Sequence, residues 1–394
     1  MVFAAVLGNF VGNGPLLQFS FGVFVKPLSQ AFATDRATIS SAVLVGFVVT
    51  GLCTPVAGRL IDRRGVRAIV LPGIVLFALS IAALGLVPQA PLPFIVMYGV
   101  AGIFAAAQSP LPYAKAVAGA FERHRGLALG VSMAGVGIGA ALLPHVASAL
   151  ISAYGWRMAF IGLGATVLTC ALPAAYLLIK EPIPVTSPAH QGAPGMSARE
   201  ALGTKRFWFL AVVFFAVVMA CGGVIAHITP ILTDRGVSAQ LATSAISLGG
   251  VSLIGGRLLA GYLLDRFFAP HVALIFILMP LAGMALLYFP APPLIALLAT
   301  VCVGIGLGAE VDLIAFFISR YLGMRSFGEI YGYLFAIFMF GSGLGPFFMG
   351  LSFSRTGSYG TAIAGFGIGL IVASVTVLMM GPYRYPLNRQ GAGH

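Results

Sequence analysis

Gly58-Arg59-Leu60-Ile61-Asp62-Arg63-Arg64-Gly65 is written a second time, 203 residues further on, as Gly261-Tyr262-Leu263-Leu264-Asp265-Arg266. Both copies follow the pattern Gly, two residues, apolar, Asp, Arg, and both close a long apolar stretch. An offset of about half the chain reads as an internal duplication, in which two parallel halves carry the same turn at the same place.

The stretches around the two copies decide the solvent. The 394 residues are 59% hydrophobic and 8% charged, with a mean hydropathy of +1.03. A soluble domain carries about 25% charged residues, and no soluble core of this length hides so much apolar surface. Lipid is therefore the expected solvent. Twelve spans are predicted, at residues 2–25, 38–60, 68–88, 92–119, 126–151, 157–179, 207–232, 239–264, 271–290, 294–319, 327–352 and 359–381. Each has about the 20 residues a tilted helix needs. Strands of a membrane barrel would be half as long and would alternate in polarity, which these segments do not.

Basic residues set the orientation. With an even number of spans, both termini and 15 of the 22 Lys and Arg residues fall on one side. Five lie on the other side, and Lys115 and Arg257 lie within the membrane. Both termini are therefore expected in the cytoplasm, in a bacterial inner (plasma) membrane. The first apolar stretch is too long for a cleavable signal peptide and has no small-residue cleavage site after it. The net charge of +12 is scattered as punctuation between spans, which argues against a nucleic-acid partner. Cys53, Cys170, Cys221 and Cys302 all sit in apolar segments without metal-ligand spacing, so neither a disulfide framework nor a metal site is expected.

The longest polar stretch is 181–206, with a short surface helix expected at 197–202. It divides the chain into an N-terminal six-helix bundle (1–180), a cytoplasmic linker (181–206) and a C-terminal six-helix bundle (207–394). The fold class is all-α membrane protein. No Walker motif, metal cluster or catalytic triad appears, so neither an enzyme nor an ATP-driven pump is expected, and no cofactor is implied.

GRLIDRRGVR (58–67), lying between spans two and three, resembles the loop signature of the major facilitator superfamily. FERHRGLALG (121–130), GVSMAGVGIGAALLP (130–144), YGWRMAFIGLG (154–164), GRLLAGYLLDR (256–266) and FGEIYGYLFAI…GLGP (327–346) resemble its monocarboxylate transporter and oxalate/formate antiporter branch. The resemblance implies alternating access, with two six-helix halves rocking about a central site. It implies that the helix-eight arginine of that branch, which falls on Arg257, binds the substrate carboxylate. It also implies that the loop aspartates, Asp62 and Asp265, with Arg63 and Arg266, belong to a gate, with Arg123 or Arg125 as possible partners. Two departures stand out. Some animal members carry an aspartate one turn before the arginine, where this chain has Leu253, and a first-helix lysine absent from 17–24 here. The oxalate carrier's helix-eleven lysine is also missing from 335–338, which favours a monoanion.

The residues themselves point the same way. Arg257 sits about eight residues inside an apolar span, with no acidic neighbour within a turn. A guanidinium at such depth costs roughly 2.5–3.5 kcal/mol on insertion scales, and its planar fork suits a carboxylate. Bracing helices through backbone carbonyls is the blander reading. Tyr113 is a candidate hydrogen-bond donor to the substrate, or simply a packed aromatic. Lys115, just after Pro110 and Pro112, either binds or snorkels. Glu310 and Asp312 fall mid-span in the tenth segment and are the proton-coupling candidates, or else a structural pair. Lying two residues apart, they point to different faces of one helix. Which one faces inward stays open. His227, Asn13 and Gln18 are further pocket candidates, with His227 reading equally as a packed, hydrogen-bonded histidine; Asn13-Gly14-Pro15 resembles the broken helices of transporters or is a packing kink. The glycines of span five are expected to allow close helix approach.

The predicted function is proton-coupled symport of small monocarboxylates by a monomer. Its partners are then a small carboxylate, protons and the bilayer. A carboxylate exchanger of the oxalate/formate type is the alternative, and drug efflux is a weaker one.

Overall fold

The computed structural model describes residues 1–34, 36–121, 124–179, 194–233, 236, 239–289 and 293–385. These residues are almost entirely helical. Their one departure toward sheet is an isolated antiparallel bridge between Gly195 and Gly323. The helices are α1 (Val2–Phe10), α2 (Gly22–Ala31), α3 (Arg36–Arg64), α4 (Val66–Leu84), α5 (Pro91–Ala105), α6 (Pro110–Ala120) and α7 (Arg125–Leu178). They continue as α8 (Ala198–Leu202), α9 (Lys205–Thr233), α10 (Ala239–Leu264), α11 (Ala269–Tyr288), α12 (Pro293–Phe317), α13 (Phe327–Thr356) and α14 (Gly360–Leu378).

The twelve spans map onto these helices with two breaks and one fusion. Ten helical stretches among the described residues are long and apolar enough to cross a membrane. One of them, α7, is two helices meeting at Gly155, whose φ of 79° ends the first and restarts the chain. A further apolar stretch, Leu248–Leu264, belongs to α10.

Span one is interrupted where the sequence has Asn13-Gly14-Pro15. The Asn13 side chain accepts the Gly14 amide at 2.7 Å, and a π-helix, π1, runs over Gly14–Phe19. Ser20 closes it by donating its amide to the Pro15 carbonyl at 3.0 Å. Span four breaks at 106–109, one step before its prolines. Ser109 caps α6 and Pro110 takes the first helical position, where its missing N–H costs nothing. A second π-helix, π2 (Ile318–Leu322), ends the tenth span. The described end of the linker forms α8, where Ser197 and Glu200 make a reciprocal capping box. Lys180, residues 181–193 of that linker, Arg123 and Arg389 lie outside the described residues.

Two compact units result. The first comprises Met1–Glu122, Val131–Ala193 and Arg325–Ala336; the second comprises Arg123–Gly130, Pro194–Met324 and Ile337–His394. Each holds its helices together through glycines that let backbones meet. In the first unit, a Cβ on Gly135 or Gly139 of α7 would fall on the carbonyl oxygens of Val6 and Phe10 in α1. The second unit repeats this with Gly341 and Gly345 of α13 against Phe215 and Met219 of α9. Without a hydrophobic drive between helices in lipid, such close backbone packing supplies the attraction. Large apolar side chains, among them Leu52, Leu79, Val251 and Ile368, remain exposed on the outside, as a lipid solvent permits.

Candidate functional site

Arg257 lies in α10 and is only 5% exposed, although its helix is otherwise apolar. Glycines fix its neighbours. Along α10 and α12, a Cβ on Gly304 would meet the Gly249 carbonyl at 2.6 Å, and one on Gly308 would fall on the Leu253 carbonyl. The register is constant, with partners 55 residues apart and advancing four residues at a time. Constant positive steps mean that the two helices run parallel. One further turn along the seam pairs position 257 with position 312. Asp312 is fully buried there, and the positive charge of Arg257 acts on it. Neither Asp312 carboxylate oxygen receives a hydrogen bond among the described residues.

Glu310 is also buried, at 2% exposure, but faces elsewhere. Two residues along a helix is a turn of about 200°. Its carboxyl interacts with Cys221 of α9, and it lines a small cavity with Val213, Val217, Phe276 and Gly306. That cavity measures about 10 Å³, about the room one water needs. The two carboxyls are thus separated, Asp312 toward Arg257 and Glu310 toward α9 and α11.

Tyr113 is fully buried in the first unit, and its hydroxyl donates to Gln108 Oε1 at 2.8 Å. Gln108 in turn donates to the Gly8 carbonyl at 3.1 Å, and Asn13 donates its amide to the Gln108 carbonyl at 3.3 Å. Tyr113, Gln108 and Asn13 therefore form one network that ties the breaks of spans one and four together. Gln108 was not singled out by sequence. A glutamine beside a proline-marked break inside an apolar span was the available signal. Gln18 is exposed. His227 is half-buried, with Nδ1 3.3 Å from the Gly223 carbonyl and its ring 5.5 Å from that of Tyr359.

Lys115 reaches the end of its helix rather than the middle. Its Nζ donates to Asp62 Oδ1 at 2.6 Å and to the Ile61 carbonyl at 3.2 Å. Asp62 also accepts the amides of Gly328 and Glu329, at 2.9 and 2.8 Å, in the first turn of α13. Amides at a helix N-terminus are unsatisfied within the helix and carry its positive dipole end, so a carboxylate suits them. Beside this, Arg59 donates to Glu329 Oε1 from Nε at 3.0 Å. Glu329 was missed in the sequence, although a first-turn acid in a chain with ten acidic residues was a visible signal. Arg63 is exposed.

The second copy of the turn behaves alike. Asp265 accepts the amides of Gly126 at 2.7 Å and Leu127 at 2.9 Å, in the first turn of α7. Arg266 stacks on the Tyr262 ring at 4.1 Å. Gly261 and Gly126 each stand within 2.7 Å of the other's carbonyl oxygen once a Cβ is placed, and Gly58 and Gly328 oppose each other in the same way. Arg157, on a different loop, donates to the Gly85 and Val87 carbonyls at 3.1 and 2.9 Å and stacks on Trp156.

Residues 2–346 match the family model described as Major Facilitator Superfamily. Human monocarboxylate transporter 11 is 28% identical over 361 residues, covering 86% of this chain and 74% of that protein. YcxA of Bacillus subtilis, an uncharacterised MFS-type transporter, is 28% identical over 388 residues, covering 92% and 88%. Among solved structures, the Escherichia coli fucose:proton symporter FucP superposes with a TM-score of 0.76 at 16% identity, over 96% of this chain and 98% of that one. The proton:xylose symporter XylE gives 0.76 at 15% identity, over 97% and 95%. At such identity the superpositions speak for the fold.

Proposed function

This chain belongs to the Major Facilitator Superfamily, and from that premise we propose that it is a proton-coupled symporter of small monocarboxylates working by alternating access. It is a membrane transporter, not an enzyme. The observation that carries the finer reading is Arg257, a buried guanidinium in an apolar helix. Such a group needs an anion, and a carboxylate matches its donor fork. A relative at 28% identity named as a monocarboxylate transporter supports the same substrate class.

The lack of a lysine at 335–338 suits a monoanion rather than a dianion, and an apolar helix around Arg257 favours a short carbon chain. Carrying a proton with the anion keeps the moving complex near neutral, which lowers the cost of burying it. Glu310 and Asp312 are the buried carboxyls from which the coupling residue is drawn. Asp62 and Asp265, each seated on a helix N-terminus, serve as the gate contacts, and Lys115 belongs with Asp62 rather than with the substrate. In this reading the carrier works as a monomer in a bacterial plasma membrane, with both termini in the cytoplasm.

Uptake of radiolabelled lactate into proteoliposomes by Arg257→Gln tests the assignment. Losing two charge-assisted hydrogen bonds, together worth about 3 kcal/mol, should lower uptake roughly a hundredfold. Near wild-type uptake by that variant would sink the reading.

A further inference from the structure

Asp312 is a buried carboxylate with no hydrogen-bond donor among the described residues, one turn past the last glycine contact of the α10–α12 seam, beside Arg257. An ionised carboxylate buried without donors is costly, and the neighbouring guanidinium offsets part of that cost. Other ionisable groups lie on the elements packed around α12. They are Lys205, Arg206, Cys221 and His227 of α9, Tyr262 of α10, His271 and Tyr288 of α11, and Arg320 and Tyr321 of π2. Among the described residues, the charge that bears on Asp312 is that of Arg257. Cys221 interacts with Glu310, on the other face of the helix.

We propose that Asp312 is the resting counter-ion of Arg257 and that it yields to the substrate by taking up the coupled proton. This rests on the carboxylate reading above and assigns its coupling residue. In the empty site, Arg257⁺ faces Asp312⁻ and the net charge is zero. When substrate enters, a proton from solvent forms an O–H bond on Asp312, and the substrate carboxylate replaces it beside Arg257⁺. The net charge is again zero. The protonated Asp312 then has a hydrogen to donate to the substrate carboxylate, so it stops competing and begins to bind. Both the empty and the loaded carrier are neutral, so either can be closed off from water at low cost. Leu253 stands on α10 one turn before Arg257, and the carboxylate reaches the arginine from α12 instead.

The proposal predicts that the wild-type protein takes up about one proton from buffer for each lactate it binds. Calorimetry of lactate, pyruvate and benzoate binding in two buffers of different ionisation heat measures this without any variant. Lactate binding with no proton uptake overturns the role of Asp312 and leaves the carboxylate reading standing. Binding of none of the three acids overturns both. Asp312→Asn adds a second measurement in proteoliposomes. A neutral hydrogen-bonding side chain resembles the protonated, loaded state but removes one counter-charge from the empty site, which makes that state costlier to close. Lactate-driven proton influx should fall at least about tenfold relative to lactate–lactate counterflow measured in the same variant. Proton influx kept at the wild-type ratio overturns the proposal. So does loss of lactate-induced thermal stabilisation in a variant that still melts like wild type.

Discussion

Asp62 and Asp265 occupy equivalent turns and make equivalent bonds, each accepting two amides from the first turn of a helix that begins far away in sequence. Glycines oppose each other beside both. The side chains around them differ. Asp62 carries the partly buried Lys115 on one oxygen and stands next to the Arg59–Glu329 pair. Where the first copy has Arg59, the second has Tyr262, and Asp265 makes no ion pair among the described residues. The backbone frame is what duplication preserved, and charge is what each half changed. Arg257 belongs to that contrast. Its backbone carbonyl meets Gly130 as the Thr54 carbonyl meets Gly332, so the first half holds a hydroxyl where the second holds the guanidinium.

The sharpest way to break the likeness is to fill the glycine contacts. Gly58→Val and Gly261→Val should each lower lactate uptake at least about tenfold, because a side chain there must displace backbone that cannot move aside. Equal losses mean that the frame is shared in function. A loss in one variant alone would mean that one seam is decorative.

Neutralising the aspartates should separate the copies. Asp62→Asn leaves Lys115, with a side chain 11% exposed, without its counter-charge. Breaking a buried pair from one side costs about 3 kcal/mol, against about 1 kcal/mol for Asp265→Asn, which only weakens a charge on a helix N-terminus. Melting in detergent should therefore fall further for Asp62→Asn. Adding Lys115→Met to that variant should recover part of the loss by removing the stranded cation. Equal melting points for the two single variants would show that Lys115 contributes nothing that distinguishes the copies.

The smallest effect belongs to Arg59→Gln, since that side chain is half exposed and its pair with Glu329 is solvated. No measurable change in melting is expected, and a clear drop would mark the pair as part of the seam.

Much of this frame was readable before any coordinates. The duplicated turn, the span boundaries and the depth of Arg257 follow from period, hydropathy and charge. The kink at Asn13-Gly14-Pro15 was readable too, because proline and glycine announce it. What escaped depends on which residues face each other across helices. Lys115 meets a carboxylate 53 residues earlier, and no local pattern says so. Tyr113 spends its hydroxyl on Gln108 five residues before it, across the helix break that precedes Pro110. Asp312 and Glu310 looked equivalent because both are acids in one apolar span. The glycine register separates them, by bringing α12 against α10 with position 312 beside position 257.

The facing glycines also bear on how quickly such a seam can part. A contact between two bare backbones has no side chains to disengage and almost no oil to wet when it separates. The groups it uncovers are amides and carbonyls, which water accepts as readily as the carboxylate did. If these seams are the gate proposed above, resistance to opening is concentrated in a few hydrogen bonds to one aspartate, and such a closure can cycle many times without stirring the core behind it.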